Sequence, residues 1–229
     1  MDEFHRLRLL IGDKLDIIKN TTVALFGLGG VGSYAAEVLA RSGIGTLIVI
    51  DNDKINITNL NRQLMTNHNN IGKPKTDEIE FRLKSINPNI KIIKINEFIT
   101  SDNINLVFDN NPDYVIDAID TIDTKKEIIR ICKKNNIKFI SCMGTGNKMH
   151  PEKLKIIDIR KTSYDPIAKI IRKMVKDEKV KGKVMVICSD EIPIRKISGE
   201  IPSNAFVPST AGILCASYVI NDIVGDKNV

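Results

Sequence analysis

Short apolar runs alternate along this chain with longer stretches whose apolar residues recur every three or four positions. TVALF (22–26), TLIVI (46–50), KIIKI (91–95), YVIDAID (114–120) and KFISC (138–142) read as strands. Most are nearly continuous in hydrophobic character, which predicts strands covered on both faces, as in a parallel sheet. Between them the period becomes helical. Leu7, Leu10, Ile11, Leu15 and Ile18 predict a helical arm over residues 1–20, broken near Gly12. Helices are expected at 31–42, 75–86 and 125–135, with Asn87-Pro88 ending the second. Beyond Gly144 the pattern continues with strands at 154–159 and 183–189 and helices at 165–176 and 209–224.

Strand and helix in regular alternation predict an α/β fold: a Rossmann-like, doubly wound, mostly parallel sheet. The C-terminal half adds extra strands and a basic helical insertion at 160–200. We expect one domain over 1–229. Its 229 residues suffice for a sizeable core, and 42% hydrophobic with 27% charged residues is ordinary for a globular protein.

Charge changes the picture only locally. The net charge is +6, and residues 160–200 hold eleven Lys and Arg against six Asp and Glu, so one segment carries nearly all the excess. The bland reading is a solvated face; the sharper one is a surface for an anionic polymer. The four cysteines, Cys132, Cys142, Cys188 and Cys215, form no C-x-x-C pair, which argues against a structural zinc site of usual spacing. Their scatter predicts reduced thiols in the cytoplasm. The apolar run AGILCASYVI is shorter than the ~20 residues that a membrane-spanning helix needs, so no membrane association is expected.

The chemistry concentrates in five motifs. GLGGVG (27–32) lies between a strand and a helix, and Gly27, Gly29 and Gly32 fit G-x-G-x-x-G. Such a turn admits a tight bend, close approach of backbone to phosphate, and close helix packing. The following helix offers N–H groups and a positive dipole end to an anion. Asp51, nineteen positions after Gly32, ends a strand where an acid can bond ribose hydroxyls. TNLNRQ (58–63) then supplies the amides of Asn59 and Asn61 and the fixed cation of Arg62. GKPK (72–75) supplies Lys75, and DAID (117–120) supplies Asp120. An arginine and a lysine neutralise more phosphate charge than a dinucleotide carries. A carboxylate at the sheet's carboxyl edge suits Mg²⁺, which favours one or two carboxylates plus phosphate oxygens. Together they predict ATP with Mg²⁺ rather than a nicotinamide cofactor.

GLGGVGS, IDNDKI, NLNRQ, GKPK and DAID, in this order over most of residues 4–147, resemble the ubiquitin-activating-enzyme-like superfamily (ThiF/MoeB) of adenylating enzymes. The resemblance implies ATP-driven activation of a carboxylate, with Gly30, Asp51, Asn59, Arg62, Lys75 and Asp120 binding ATP and magnesium. It also implies a homodimer in which Arg6, or the neighbouring Arg8, reaches the partner's phosphates. ISCMGTGNKMHP (140–151), KTSYDPIAK (161–169) and IPSNAFVPSTAGILCASYVI (201–220) resemble the branch that dehydrates threonylcarbamoyladenosine in tRNA. His150 and Cys188 depart from that branch's usual residues. The other branch activates the C-terminus of a small sulfur-carrier protein and usually carries two zinc pairs that this chain lacks. A sulfur-relay protein is a candidate partner.

That reading gives the basic segment a use. Asp165 and Pro166 suit a helix start. Ile167, Ile170, Ile171 and Met174 predict its apolar face. Lys169, Arg172, Lys173 and Lys176 fall at i, i+3, i+4 and i+7, one stripe able to track tRNA phosphates. Cys142 and Cys188 are conceivable nucleophiles, but buried thiols beside apolar strands are usually inert.

Overall fold

The computed structural model describes residues 2–194 and 199–225. Arg195 and Lys196 of the basic segment, together with Met1 and residues 226–229, lie outside the described residues.

One seven-stranded sheet runs through both halves of the chain, in the order β3-β2-β1-β4-β5-β7-β6. The strands are β1 (Thr22–Phe26), β2 (Thr46–Ile50), β3 (Lys91–Ile95), β4 (Tyr114–Asp117), β5 (Lys138–Cys142), β6 (Leu154–Asp158) and β7 (Met185–Ser189). All neighbours pair parallel except β6 with β7. The expected doubly wound sheet is present, and the extra C-terminal strands extend it at one edge. The winding reverses between β1 and β4, and ligands in such sheets sit at that switch point, outside the carboxyl ends of the strands.

The strand sequences show why both faces are buried. In β1, Val23 and Leu25 enter one core while Ala24 and Phe26 enter the other. In β2, Leu47 and Val49 divide in the same way from Ile48 and Ile50. On the first face pack α2 (Lys14–Lys19), α3 (Gly32–Arg41), α4 (Lys75–Ile86) and α8 (Phe206–Val224). On the second pack α5 (Asn105–Phe108), α6 (Ile122–Asn135) and α7 (Pro166–Asp177). The arm breaks at Gly12, whose φ is 60°, giving α1 (His5–Ile11) before α2. The left-handed backbone there favours glycine.

Beyond the N-terminal arm, three boundaries shift by three residues from the sequence expectation, and the others by two at most. Strand β4 stops at Asp117 instead of running to 120, because the Ile119 N–H turns back toward the Asp117 carboxylate (3.3 Å). Helix α6 begins three residues early, at Ile122. Helix α8 begins at Phe206: Asn204 Oδ1 accepts the N–H groups of Phe206 (3.2 Å) and Val207 (2.9 Å), and Pro208 sits in the first turn, where a missing N–H costs nothing. By length and composition α8 could cross a membrane. In the structure, however, Val207, Ala211, Cys215, Ala216 and Val219 are buried in the first core.

A fully buried lysine sits behind the switch point. Lys125 Nζ donates to Asp117 Oδ2 (2.8 Å), the Ser141 hydroxyl (3.2 Å) and the Cys142 carbonyl (2.9 Å). The Ser141 hydroxyl donates to the same Asp117 oxygen (2.5 Å). One cation thereby joins the carboxyl ends of β4 and β5. Lys125→Met leaves Asp117 buried without its counter-charge, which should cost about 3–5 kcal/mol of folding free energy in urea denaturation. Lys126→Met, one residue along but paired at the surface with Asp123, serves as the control. Similar losses from the two substitutions would refute a special role for Lys125.

Candidate active site

A cleft of about 450 Å³ opens at the carboxyl edge of the sheet, across the switch point. Its floor is the glycine turn after β1. Gly27 has φ 88°, and a Cβ there would lie 2.8 Å from the Ala118 carbonyl oxygen. A Cβ on Gly32 would lie 1.8 Å from the Gly27 carbonyl oxygen, and one on Gly30 would press on Pro208 at 3.1 Å. Gly27 and Gly32 are required by the protein's own packing, and Gly30 is packed tightly. Gly29 is different: a Cβ there would meet nothing within 4 Å, so its backbone faces open space in the cleft wall. The Ser33 hydroxyl donates to the Gly29 carbonyl (2.7 Å) and accepts the Leu64 N–H (3.1 Å), tying the turn to the segment that follows Arg62.

The acids after β2 are held in place by backbone and by a lysine. Asp51 Oδ2 accepts the Leu28 N–H (2.7 Å) and Oδ1 the Asp53 N–H (2.9 Å), which hold the carboxylate beside the glycine turn. A carboxylate has about four acceptor sites, so capacity remains for hydroxyl donors. Lys75 begins α4 and is only 4% exposed. Its Nζ lies 2.6 Å from Asp53 Oδ2 and 3.6 Å from Asp51 Oδ1. It is Lys75, not Arg62, that pairs with the acids. Arg62 Nη1 donates to the Thr58 carbonyl (2.8 Å) and Asn61 Oδ1 (2.9 Å).

Asn59, Arg62, Lys75 and Asp120 line the cleft with Gly27, Gly29, Gly30 and Asp51. Gly32 stands behind it, at the start of α3. Asn61 does not line it: its amide orients Arg62 and donates to the Ser203 carbonyl (3.1 Å), anchoring the segment before α8. Asp120 is exposed in the loop beyond β4. Among the described residues, no cluster of three or more His, Cys, Asp or Glu is arranged to hold a metal ion. Asp120 therefore offers a single carboxylate, which suits a cation whose other ligands are phosphate oxygens and water. Arg6 is exposed on α1 and is not among the cleft-lining residues; Arg8 pairs with Asp2 at 3.1 Å.

Sequence reasoning missed several groups. Asp117, inside the expected strand, and Lys125, at the start of an expected helix, drew no role from the sequence, yet both are fully buried. Gln63, the last residue of TNLNRQ, lines the cleft with Oε1 buried and without a hydrogen-bond partner. The loop after β5 contributes Gly144, Thr145 and Gly146. Only its glycines gave a signal.

All four cysteines are buried. Burial and the Asp165 charge push the Cys188 thiol up to about 12. Cys132 is raised by burial and by Asp117, and Cys215 by its hydrogen bond with Cys142 and by burial. Cys132, Cys188 and Cys215 thus stay protonated near neutrality, the opposite of an activated nucleophile.

On α7, the Asp165 carboxylate accepts the Ala168 N–H (2.8 Å), the expected cap. The buried face is Ala168, Ile171, Met174 and Val175; Ile170, expected inside, is 39% exposed. A face centred on 168, 171 and 175 leaves position 170 at its edge. Lys169, Lys173 and Lys176 are exposed. Arg172 is half-buried and donates to the Thr162 carbonyl (2.8 Å) and hydroxyl (2.6 Å).

Residues 4–225 match the ThiF family. The chain is 42% identical over 247 residues to the tRNA threonylcarbamoyladenosine dehydratase of Bacillus subtilis, covering 100% of this chain and 97% of that protein. The crystal structure of the Escherichia coli tRNA N6-threonylcarbamoyladenosine dehydratase in complex with ATP superposes with a TM-score of 0.90 at 30% identity, over 96% of this chain and 93% of that one. Similarity to the Escherichia coli sulfur carrier protein ThiS adenylyltransferase is narrower, 32% over 127 residues, or 56% of this chain and 50% of that protein. With the glycine turn, NLNRQ and the basic C-terminal segment all inside the matched region, the chain belongs to the ThiF family.

Proposed function

We propose that this chain catalyses the ATP-dependent dehydration of N6-threonylcarbamoyladenosine in tRNA, beside the anticodon, by activating its carboxylate. The observation that carries the reading is the cleft itself, at the switch point, which Gly29, Asn59, Arg62, Lys75 and Asp120 all line. Full-length similarity to a tRNA threonylcarbamoyladenosine dehydratase supports the substrate. Residues 1–229 would act as one nucleotide-binding domain, in the cytoplasm.

The residues divide the work by charge and position. The open backbone at Gly29 and the start of α3 take phosphate oxygens. Asp51 keeps acceptor capacity for the ribose. Arg62, fixed by Thr58 and Asn61, and Lys75, fixed by Asp53, stabilise charge that builds on the phosphates as the threonyl carboxylate attacks phosphorus. Asp120 would hold Mg²⁺, which when bound neutralises phosphate charge. The attack forms a carboxylate–phosphorus bond as the P–O bond to the rest of the nucleotide breaks, giving a mixed anhydride and releasing pyrophosphate (attack at the α-phosphorus) or ADP (attack at the γ-phosphorus). A nitrogen or oxygen of the same side chain then attacks the activated carbonyl, closes a ring and expels the phosphate-bearing group. The net change is ATP-driven loss of water from the nucleoside. Ring closure is intramolecular, so held geometry supplies much of that step, and no thiol nucleophile is needed. Because Arg6 lies outside its own chain's cleft, a second copy in a homodimer is the proposed route for it to reach phosphate. A sulfur-relay protein is a further proposed partner.

Mass spectrometry of digested tRNA, after incubation with enzyme, ATP and magnesium, should show the threonylcarbamoyl nucleoside lighter by one water. ATP turnover with a small Gly-Gly-tailed protein and none with tRNA would transfer the reading to sulfur-carrier adenylylation. In the same assay Arg62→Ala and Asp120→Ala should each lower kcat/KM by at least about 100-fold, since each removes a group placed for the transition state. Unimpaired Asp120→Ala would take that residue out of the magnesium role. Cys188→Ser and Cys142→Ser should keep turnover within a few-fold, and a loss of about 1000-fold in either would restore the thiol to the chemistry. Replacing Lys169, Lys173 and Lys176 by Gln, with Arg172 left to hold Thr162, should weaken tRNA binding. The slope of log K against log salt should fall by about 1 for each phosphate that is no longer neutralised. An unchanged slope would make this face of α7 merely solvated.

A further inference from the structure

The exposed stripe of α7 accounts for phosphates, but phosphate contacts position RNA without reading it. The residue just ahead of the helix offers something else. Tyr164 is 60% exposed and has φ 56°, a left-handed conformation that an aromatic residue rarely adopts. The Asp165 N–H donates to the Ser163 carbonyl (2.7 Å), so Tyr164 is the apex of a three-residue turn. Tight turns of this hand are rare and strained. The neighbours on the C-terminal side leave it little freedom. Asp165 is buried, caps α7 and receives Lys148 Nζ at 3.2 Å, while the same Nζ donates to the Gly144 carbonyl (2.7 Å). Gly144 and Ile167 both line the cleft. Tyr164 is not itself a cleft-lining residue, but it directly precedes Asp165, which Lys148 ties to the cleft loop, and Ile167 of the cleft lining, so it sits next to the cleft edge at the start of the helix that carries the lysines. The fold holds an aromatic ring in water there at a backbone cost, and no described hydrogen bond or ring contact of the side chain accounts for it.

We propose that Tyr164 is a stacking platform for an unpaired base of the RNA loop whose modified adenosine enters the cleft. This rests on the proposed tRNA substrate and names how its loop is gripped. Unstacked loop bases are commonly recognised by stacking on aromatic side chains, and every base has a face that an exposed ring can cover. The positive charge of Lys169, Lys173 and Lys176 alongside matches a loop whose backbone must pass the same edge.

The chain contains no tryptophan, so Tyr164→Trp introduces a sole indole reporter next to the cleft edge. The probe is an anticodon stem-loop RNA carrying threonylcarbamoyladenosine, labelled at its stem for anisotropy. Stacking predicts that binding quenches the indole and that a fully paired duplex of equal length, which has no free base, binds with little quenching. Tyr164→Phe should bind the stem-loop as the wild type does, and Tyr164→Ala about tenfold more weakly, the order expected for losing one base–ring stack. Tyr164→Gly should weaken binding as Ala does while raising Tm, because glycine accepts φ 56°. Binding without quenching, or equal affinity for the Ala and wild-type proteins, overturns the stacking role and leaves the proposed reaction standing. No measurable binding of the stem-loop by the wild type overturns both.

Discussion

Everything at the carboxyl edge of this sheet depends on the charge of one buried side chain. Lys125 has no access to water, and a lone ammonium in such surroundings would be strongly destabilising. Its stability comes from engaging three acceptors: the Asp117 carboxylate, the Ser141 hydroxyl and the Cys142 carbonyl. Those acceptors end β4 and β5, the two strands beyond the switch point. From them the chain leaves to form the loops that carry Asp120 on one side and Gly144 to Gly146 on the other. A pair of apolar residues could hold the strands together about as strongly. It could not fix the directions in which both strands end, which directional donors do.

The glycine turn fits against this edge by the same constraint of space. Gly27 and Gly32 are glycines because Ala118 and the turn itself leave no room for a Cβ, and Gly30 packs tightly against Pro208 of α8. Close approach recurs at Gly212, where a Cβ would lie 2.1 Å from the Val31 carbonyl, so α8 packs hard on the start of α3. Gly29 alone of the four in the turn is spared, and its freedom is what the cleft uses. Most of a phosphate-binding motif is therefore packing, and a motif match on its own says less about a ligand than the one position left open.

The elements are legible in the sequence because their signals are local. β1, β2, β3 and β5 and α4 fall where their apolar spacing places them. What the string does not carry is which of two similar residues is buried. DAID holds two aspartates, and its pattern favours Asp120 for the cleft without marking Asp117, though Asp117 organises the edge. Lys125 sits in KKEIIRICKKN among lysines that face water, and nothing in that string marks it; only the long-range pairing of β4 with β5 brings its acceptors together. Asn61 illustrates the same limit in reverse. Its position in TNLNRQ suggests a ligand contact, whereas its side chain reaches Arg62 and Ser203, across 142 residues of sequence. Helix α7 is legible in its cap and its stripe, and less so in Ile170 and Arg172, where the centre of the buried face decides.

The C-terminal segment repeats the buried-lysine device nearer the basic face of α7. Lys148 joins the Gly144 carbonyl of the cleft loop to Asp165, whose other oxygen starts α7. Asn204 takes the Lys148 carbonyl with its amide nitrogen and starts α8 with its amide oxygen. Glu191 receives the N–H groups of Met149 and His150. Each of these side chains bonds two places at once, so the cleft loop, the basic helix and α8 cannot shift independently without leaving a buried polar group unpaired. A polymer gripped along α7 would thereby be held in fixed register with the wall that carries Gly144 and with Pro208 beneath the glycine turn. The basic segment is an insertion by composition, but by its hydrogen bonds it is part of the cleft.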